Sequence, residues 1–291
     1  MVSGSDMHGT PITVTAQQEG KTPEQVAMEY HKLNSDSIER MGISFDLFSH
    51  THTEEHAEVA LSILKKLDEN GYIEPRISEE PYDPIANQFL PDRYVEGTCP
   101  HCNYESARGD QCDDCGKTLD SKELINPRSK LNPDAKIEFR ETEHLFFKLS
   151  EFRDVLLDWL SEGKEHWRSS VINFTRNWLK EGLIDRAVTR DLDWGIEIPR
   201  EGYENKRMYV WFEAVMGYYS ASVHWAKNQG KPEEWKKWWE NENSEHYYFM
   251  AKDNIPFHTI IWPAMLSGCG YKLPYDAVSY THLRAHETVH Y

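Results

Sequence analysis

The chain has 291 residues and a formal net charge of −17, with 39% hydrophobic residues and 12% aromatic ones. A surface that acidic repels polyanions at long range, which argues against a protein that gathers nucleic acid without specificity. The length allows one large core or two modest ones, and no apolar run is long enough to cross a bilayer, so a soluble, cytoplasmic protein without a membrane partner is expected.

The chain opens on the end of a strand, followed by a turn at Asp6 to Thr10. Residues 21–33 then predict a helix: Thr22 stands at the N-cap, Pro23 at the first helical position and Gln25 at the capping-box position, with Val26, Ala27, Tyr30 and Leu33 on one face. A second helix is predicted over 51–71, with Thr51 and Glu54 as its capping box, Leu61, Ile63, Leu64 and Leu67 as its apolar stripe, and Gly71 as its stop. Its first turn contains His52 and His56 in an HxxEH arrangement, the spacing of a metalloprotease helix. With no third ligand in view, the preferred reading is a solvated first turn whose acidic residues favour the positive end of the helix dipole.

Residues 74–92 are polar and interrupted by prolines, which predicts irregular chain. Two CxxC pairs follow, Cys99 with Cys102 and Cys112 with Cys115, holding four of the five cysteines. Nine residues between the pairs are enough for the chain to fold back, and four thiolates meet zinc's tetrahedral demand, so the segment 97–117 predicts a closed structural zinc knuckle. Disulfides would need an oxidising compartment, and nothing at the start resembles a signal peptide. A redox CxxC would more often stand alone after a strand.

Alternation after the knuckle suits strands, and a third helix is predicted from Lys164 to Glu181, with Trp167, Val171, Phe174, Trp178 and Leu179 inward and Gly182 as its stop. Residues 208–214, MYVWFEA, read as a strand. The run YYFMA, 247–251, reads as a buried parallel strand that ends at Lys252 and Asp253, and ligands of open α/β sheets bind at that edge. Residues 277–291 carry three closely spaced histidines and continue no apolar period, which suggests a non-native tail.

Four stretches, SGSDMHGTPI (3–12), the knuckle with ELINPRSKL after it, MYVWFEAVMGYYSAS (208–222) and FMAKDNIPFHTIIWPAML (249–266), together resemble the methionyl-tRNA synthetase family of class I aminoacyl-tRNA synthetases. The likeness runs from Val2 to about Gly268. It implies an α/β fold: a Rossmann-type doubly wound parallel sheet interrupted by a connective insertion that carries the zinc knuckle. Residues 1–73 would be the first part of the catalytic domain, lacking its N-terminal strand; 74–192 the insertion; 193–276 the second part; and 277–291 the tail.

The family activity is ATP-dependent joining of methionine to its tRNA through methionyl-adenylate, with Mg²⁺ accompanying ATP and with initiator and elongator methionine tRNAs as partners. By resemblance Asp6 binds the methionine ammonium, and Trp211, Ala214, Tyr218, Phe257, His258 and Trp262 form the side-chain pocket. A thioether suits such a lining because sulfur is polarisable and favours aromatic contact. Ala251, Asp253 and Arg190 fall on the ATP side, with Ala251 where the family often has glycine. The family's HIGH-like and KMSKS motifs are absent, so no catalytic residue is assigned and the chain reads as a fragment without activity of its own. Two alternatives stand beside this reading: a zinc-ribbon module that binds nucleic acid, and a class I synthetase for another apolar amino acid.

Overall fold

The computed structural model describes the chain except residues 92–93, 110–111, 116–118 and 281–291 and the side chains of Asp253 and Tyr280. The first segment forms β1 (Val2–Ser5), α1 (Thr10–Glu19), α2 (Pro23–Arg40), β2 (Leu47–His50) and α3 (Glu54–Glu69). β1 and β2 are parallel, with Val2 opposite Leu47, so the chain must cross over between them, and α1 and α2 provide that crossover. α2 begins on the expected capping box: the Thr22 hydroxyl accepts from the Gln25 N–H at 3.2 Å, and the Gln25 side chain accepts from the Thr22 N–H at 2.9 Å.

Two local expectations need correction here. α3 is capped by Thr53, whose hydroxyl accepts from the His56 N–H at 3.0 Å, and not by Thr51. Thr51 instead accepts from the Met7 N–H at 3.0 Å and so pins the turn that follows β1. α1 was not expected, because its Ile, Val and three Thr are weak helix formers; Pro11 at its start and the left-handed Gly20 (φ 64°) at its end define it.

The middle of the chain contains β3 (Ile73–Asp83), β4 (Gln88–Phe89), β5 (Val95–Thr98), β6 (Ala107–Arg108), β7 (Ile125–Ser129), β8 (Glu138–Phe147), α4 (Arg153–Trp159), α5 (Ser169–Glu181) and β9 (Arg186–Ala187). These strands make an antiparallel sheet of order β4-β3-β8-β9 and a smaller one of order β6-β5-β7 at the cysteines. The stretch expected to be irregular therefore holds the long strand β3. Residues 74–80 of β3 alternate between half-buried and exposed, and an antiparallel strand with a wet face tolerates the Glu, Arg and Ser found there. α5 is shorter than predicted and turns Val171, Thr175 and Leu179 inward, while Phe174 is 43% exposed.

The last segment holds β10 (Thr189–Arg190), β11 (Arg207–Met208), α6 (Val210–Glu213), α7 (Gly217–Asn228), α8 (Lys236–Trp239), β12 (Tyr247–Ala251), α9 (Trp262–Gly268) and β13 (Asp276–Tyr280). The predicted strand over 208–214 is thus mostly helix α6. β12 is a strand as expected and pairs in parallel with β13, Tyr247 opposite Asp276. Residues 277–280 of the suspected tail lie in β13; the rest of it, 281–291, lies outside the described residues.

One large core joins α3, α5, α7, α9 and β12, and a separate small cluster of Leu90, Val95, Cys99, Ala107, Cys112, Leu124 and Ile137 supports the knuckle. Gly268 shows how tightly the large core closes. A Cβ there would lie 2.7 Å from Leu67 Cδ2 and 2.9 Å from Phe152 Cζ, and both side chains are already enclosed. Gly268→Ala is expected to cost about 1–3 kcal/mol by overpacking. Urea denaturation should show a lower midpoint at unchanged slope; an unchanged midpoint would mean the core can yield there.

Candidate active site

β1 ends at Ser5 and delivers Asp6 to the rim of a cavity of about 1050 Å³. Trp211, Ala214, Tyr218, Phe257 and His258 line the same cavity from α6, the turn after it, α7 and the segment before α9. The carboxylate and five of the six expected side-chain pocket residues are therefore brought together. The segment Phe257–Ile261 is a π-helical turn, a widened helix that often marks functional positions.

The wall is ordered by specific contacts. Trp211 and Phe257 stack with ring centroids 4.8 Å apart and an interplanar angle of 21°. His258 Nδ1 lies 2.8 Å from the Asn254 carbonyl, which can only accept, so that nitrogen carries the proton. Its Nε2 is then left to accept from the Tyr218 hydroxyl at 2.6 Å. Burial lowers the His258 pKa and keeps the ring neutral, and burial pushes the Tyr218 hydroxyl up to about 12.

Trp262 is the exception among the pocket residues. It is fully buried, does not reach the cavity, and donates its indole N–H to the Tyr248 hydroxyl at 3.0 Å. Tyr248 does line the cavity, with its ring 5.0 Å from that of Tyr218. Trp262 thus backs the wall from one layer behind.

Asp6 is open to the cavity yet crowded by protein. Desolvation, followed by repulsion from Glu213, raises its pKa to about 6 against the opposing pull of the His8 N–H, which donates to Asp6 Oδ1 at 3.3 Å. Glu213 itself is completely buried. One of its oxygens accepts from His8 Nδ1 at 2.8 Å and the other from His56 Nε2 at 2.6 Å. Burial works against its charge, but the two imidazole hydrogen bonds win and hold its pKa below the ordinary value. His56 is backed by Ser220 at 2.8 Å, and His8 Nε2 lies 3.1 Å from His52 Nδ1.

This network answers the HxxEH match: His52 and His56 face different partners, and among the described residues the only metal-capable cluster is the four cysteines. His8, His56 and Glu213 were not foreseen as a unit, because they are far apart in sequence. The one local signal was a charged residue, Glu213, inside an otherwise apolar run.

The residues expected on the ATP side stand elsewhere. Ala251 is exposed at the end of β12, and Asp253 follows in a 3₁₀ turn, Lys252–Asn254; its side chain lies outside the described residues. Arg190 lines a second cavity of about 540 Å³, donates to its own neighbour's carbonyl at Thr189 at 3.0 Å, and covers the Tyr209 ring at 4.3 Å. Trp211 and Phe257 line both cavities and form the partition between them.

At the knuckle the four Cys Sγ atoms lie within 4.8 Å of one another, with Cys99 to Cys115 at 3.9 Å and Cys102 to Cys112 at 3.6 Å. A tetrahedral zinc with sulfur ligands at about 2.3 Å needs sulfurs about 3.8 Å apart, so the set fits that metal. The His101 N–H points at Cys99 Sγ, 3.4 Å away, in the manner of a group that steadies a metal-bound thiolate.

A carboxylate at a parallel-strand end facing an aromatic cage, with a four-thiolate knuckle in an insertion between the two parallel pieces, is the arrangement of a class I tRNA synthetase. The family model described as "tRNA synthetases class I (M)" matches residues 1–288, and the chain belongs to that family. It is 57% identical over 284 residues to the methionine–tRNA ligase of Dehalococcoides mccartyi strain 195, covering 97% of this chain and 51% of that protein. It is also 54% identical over 278 residues to the methionine–tRNA ligase of Thermomicrobium roseum, covering 95% and 47%. The fold is similar to Mycobacterium tuberculosis methionyl-tRNA synthetase bound by methionyl-adenylate, with TM-score 0.69, 20% identity, and coverage of 96% of this chain and 48% of that one. The chain spans about half the length of the curated relatives it matches.

Proposed function

We propose that this chain carries the amino-acid-selecting part of a methionine–tRNA ligase. The observation that carries the reading is the single cavity with Asp6 on one side and the Trp211, Tyr218, Phe257 and His258 cage on the other. The Asp6 carboxylate takes the methionine ammonium, and the aromatic faces take the thioether, where sulfur contact is worth about 0.3–1.5 kcal/mol. The neutral His258, held by Asn254 and Tyr218, presents no charge to an apolar side chain.

In the reaction so proposed, a methionine carboxylate oxygen attacks the α-phosphorus of ATP, and pyrophosphate leaves with Mg²⁺. A hydroxyl of the terminal tRNA ribose then attacks the adenylate carbonyl, and AMP leaves. Ala251, Asp253 and Arg190 are assigned to the ATP side. Cys99, Cys102, Cys112 and Cys115 would hold zinc in a closed, structural site with no open position for substrate. The initiator and elongator methionine tRNAs are the proposed acceptors and the cytoplasm the proposed location; no helix among the described residues is long and apolar enough to cross a membrane.

The test is to graft this segment in place of the matching half of the Dehalococcoides ligase and measure amino-acid-dependent exchange of pyrophosphate into ATP. Methionine should drive exchange; preference for leucine, isoleucine or valine would overturn the assignment. Within the chain itself, calorimetry should show methionine affinity rising about tenfold from pH 5 to pH 7, as Asp6 ionises around its pKa of about 6. Asp6→Asn should abolish that rise. It should also raise the melting temperature at pH 7, because an acid with a raised folded-state pKa destabilises the fold once it is forced to ionise. A pH rise that survives in Asp6→Asn would assign the ammonium to another group.

A further inference from the structure

Glu213 is placed where no substrate can touch it, yet both of its near neighbours in the chain, Trp211 and Ala214, line the large cavity. Its carboxylate ties three elements together: α6, which bears the aromatic wall; the turn after β1, through His8; and the first turn of α3, through His56. His8 in turn stands two residues beyond Asp6, and its backbone N–H holds that carboxylate. A single buried group therefore spans the distance between the residue assigned to the ammonium and the residues assigned to the side chain.

A buried carboxylate with two imidazole partners is a costly way to join helices, since apolar residues of similar volume often do so at least as well. What it adds is direction, because two short hydrogen bonds fix the spacing and orientation of the parts they join. We propose that Glu213 is a positioning residue of the amino-acid site, setting the separation between Asp6 and the Trp211–Ala214 wall so that an amino acid is gripped at both ends. This inference rests on the methionine reading above. The titratable groups facing Glu213 are His8, His56 and Asp6, with His52 behind His8. Burial, with His8 adding to it, lowers the His52 pKa, so His52 is neutral and can donate its Nδ1 proton to His8 Nε2.

The experiment compares two ligands in the unaltered chain, Glu213→Asp and Glu213→Gln: methionine, and 3-(methylthio)propionic acid, which lacks the ammonium. Asp keeps the charge but is one methylene short. It should weaken methionine at least tenfold while leaving the deamino ligand within twofold, since spacing matters only to a ligand held at both ends. Gln keeps the length but not the charge, so the Asp6 carboxyl, followed by carbon NMR without ligand, should titrate below its midpoint near 6. Equal losses for both ligands, or an unmoved Asp6 midpoint in Glu213→Gln, would overturn the proposal and leave Glu213 a structural tie. If Glu213→Asp does not fold, Glu213→Gln takes over the ligand comparison with the same criteria. If the unaltered chain binds neither ligand, the methionine reading fails, and the Asp6 titration still decides whether Glu213 acts on that carboxyl.

Discussion

Removing the metal from the cysteine knuckle is expected to melt residues 95–129 while the rest of the chain stays folded. The chain should bind one zinc through Cys99, Cys102, Cys112 and Cys115, measurable by atomic emission, and Cys112→Ala should bind none. The physical reason is the smallness of the core beneath the site. Two of its seven fully buried members, Cys99 and Cys112, are themselves ligands, and the surrounding strands β5, β6 and β7 are two to five residues long. So little apolar area cannot offset the conformational entropy of ordering that many residues. Zinc bound to such sites contributes about 10–16 kcal/mol at neutral pH, more than any other single interaction proposed here. Amide hydrogen exchange with and without chelator reads the effect by segment. Protection should vanish in β5 and β7 and persist in α3 and α9, whose residues belong to the large core. Simultaneous loss of protection in α3 would show that the two clusters fold as one unit.

How much of this was readable from the chain depends on how local each signal was. The Thr22 and Gln25 box, the Gly182 stop, the YYFMA strand and the cysteine spacing all act within a few residues, and the structure holds each of them. The 208–214 segment went the other way. Short aromatic and β-branched runs fit a strand or a buried helix equally, and what decides for helix is tertiary: His8 and His56, 205 and 157 residues away, draw Glu213 into the interior. β3 was hidden for the opposite reason, since half of its residues face water and carry no apolar signature. Trp262 was placed on the cavity wall by resemblance, where burial puts it behind Tyr248 instead. Composition could not separate those two positions, because a chain with 10 tryptophans must bury most of them wherever they lie.

That position fixes what Trp262 should do. Trp262→Ala is expected to destabilise the chain by about 3–5 kcal/mol, the range for emptying a large buried ring site, and to lower the urea midpoint accordingly. The indole is fully enclosed, packs near Trp239 with centroids 6.1 Å apart, and starts α9 at a point where Pro263 leaves the helix few other anchors. Trp262→Phe separates its two jobs. It keeps most of the volume but withdraws the donor from the Tyr248 hydroxyl, a cost of about 1–3 kcal/mol for an unpaired buried group. Through Tyr248, whose ring meets Tyr218, and Tyr218, whose hydroxyl meets His258, the loss reaches the cavity wall by contacts alone. Methionine affinity in Trp262→Phe should therefore fall only a few-fold while stability falls clearly. In Trp211→Ala, where a ring that is 39% exposed at the cavity is removed, affinity should fall further than stability. Calorimetry and urea denaturation on the two variants measure both quantities. If Trp262→Phe loses binding as severely as Trp211→Ala at little cost in stability, then the indole reaches the ligand after all, and the cavity wall must rearrange when methionine enters.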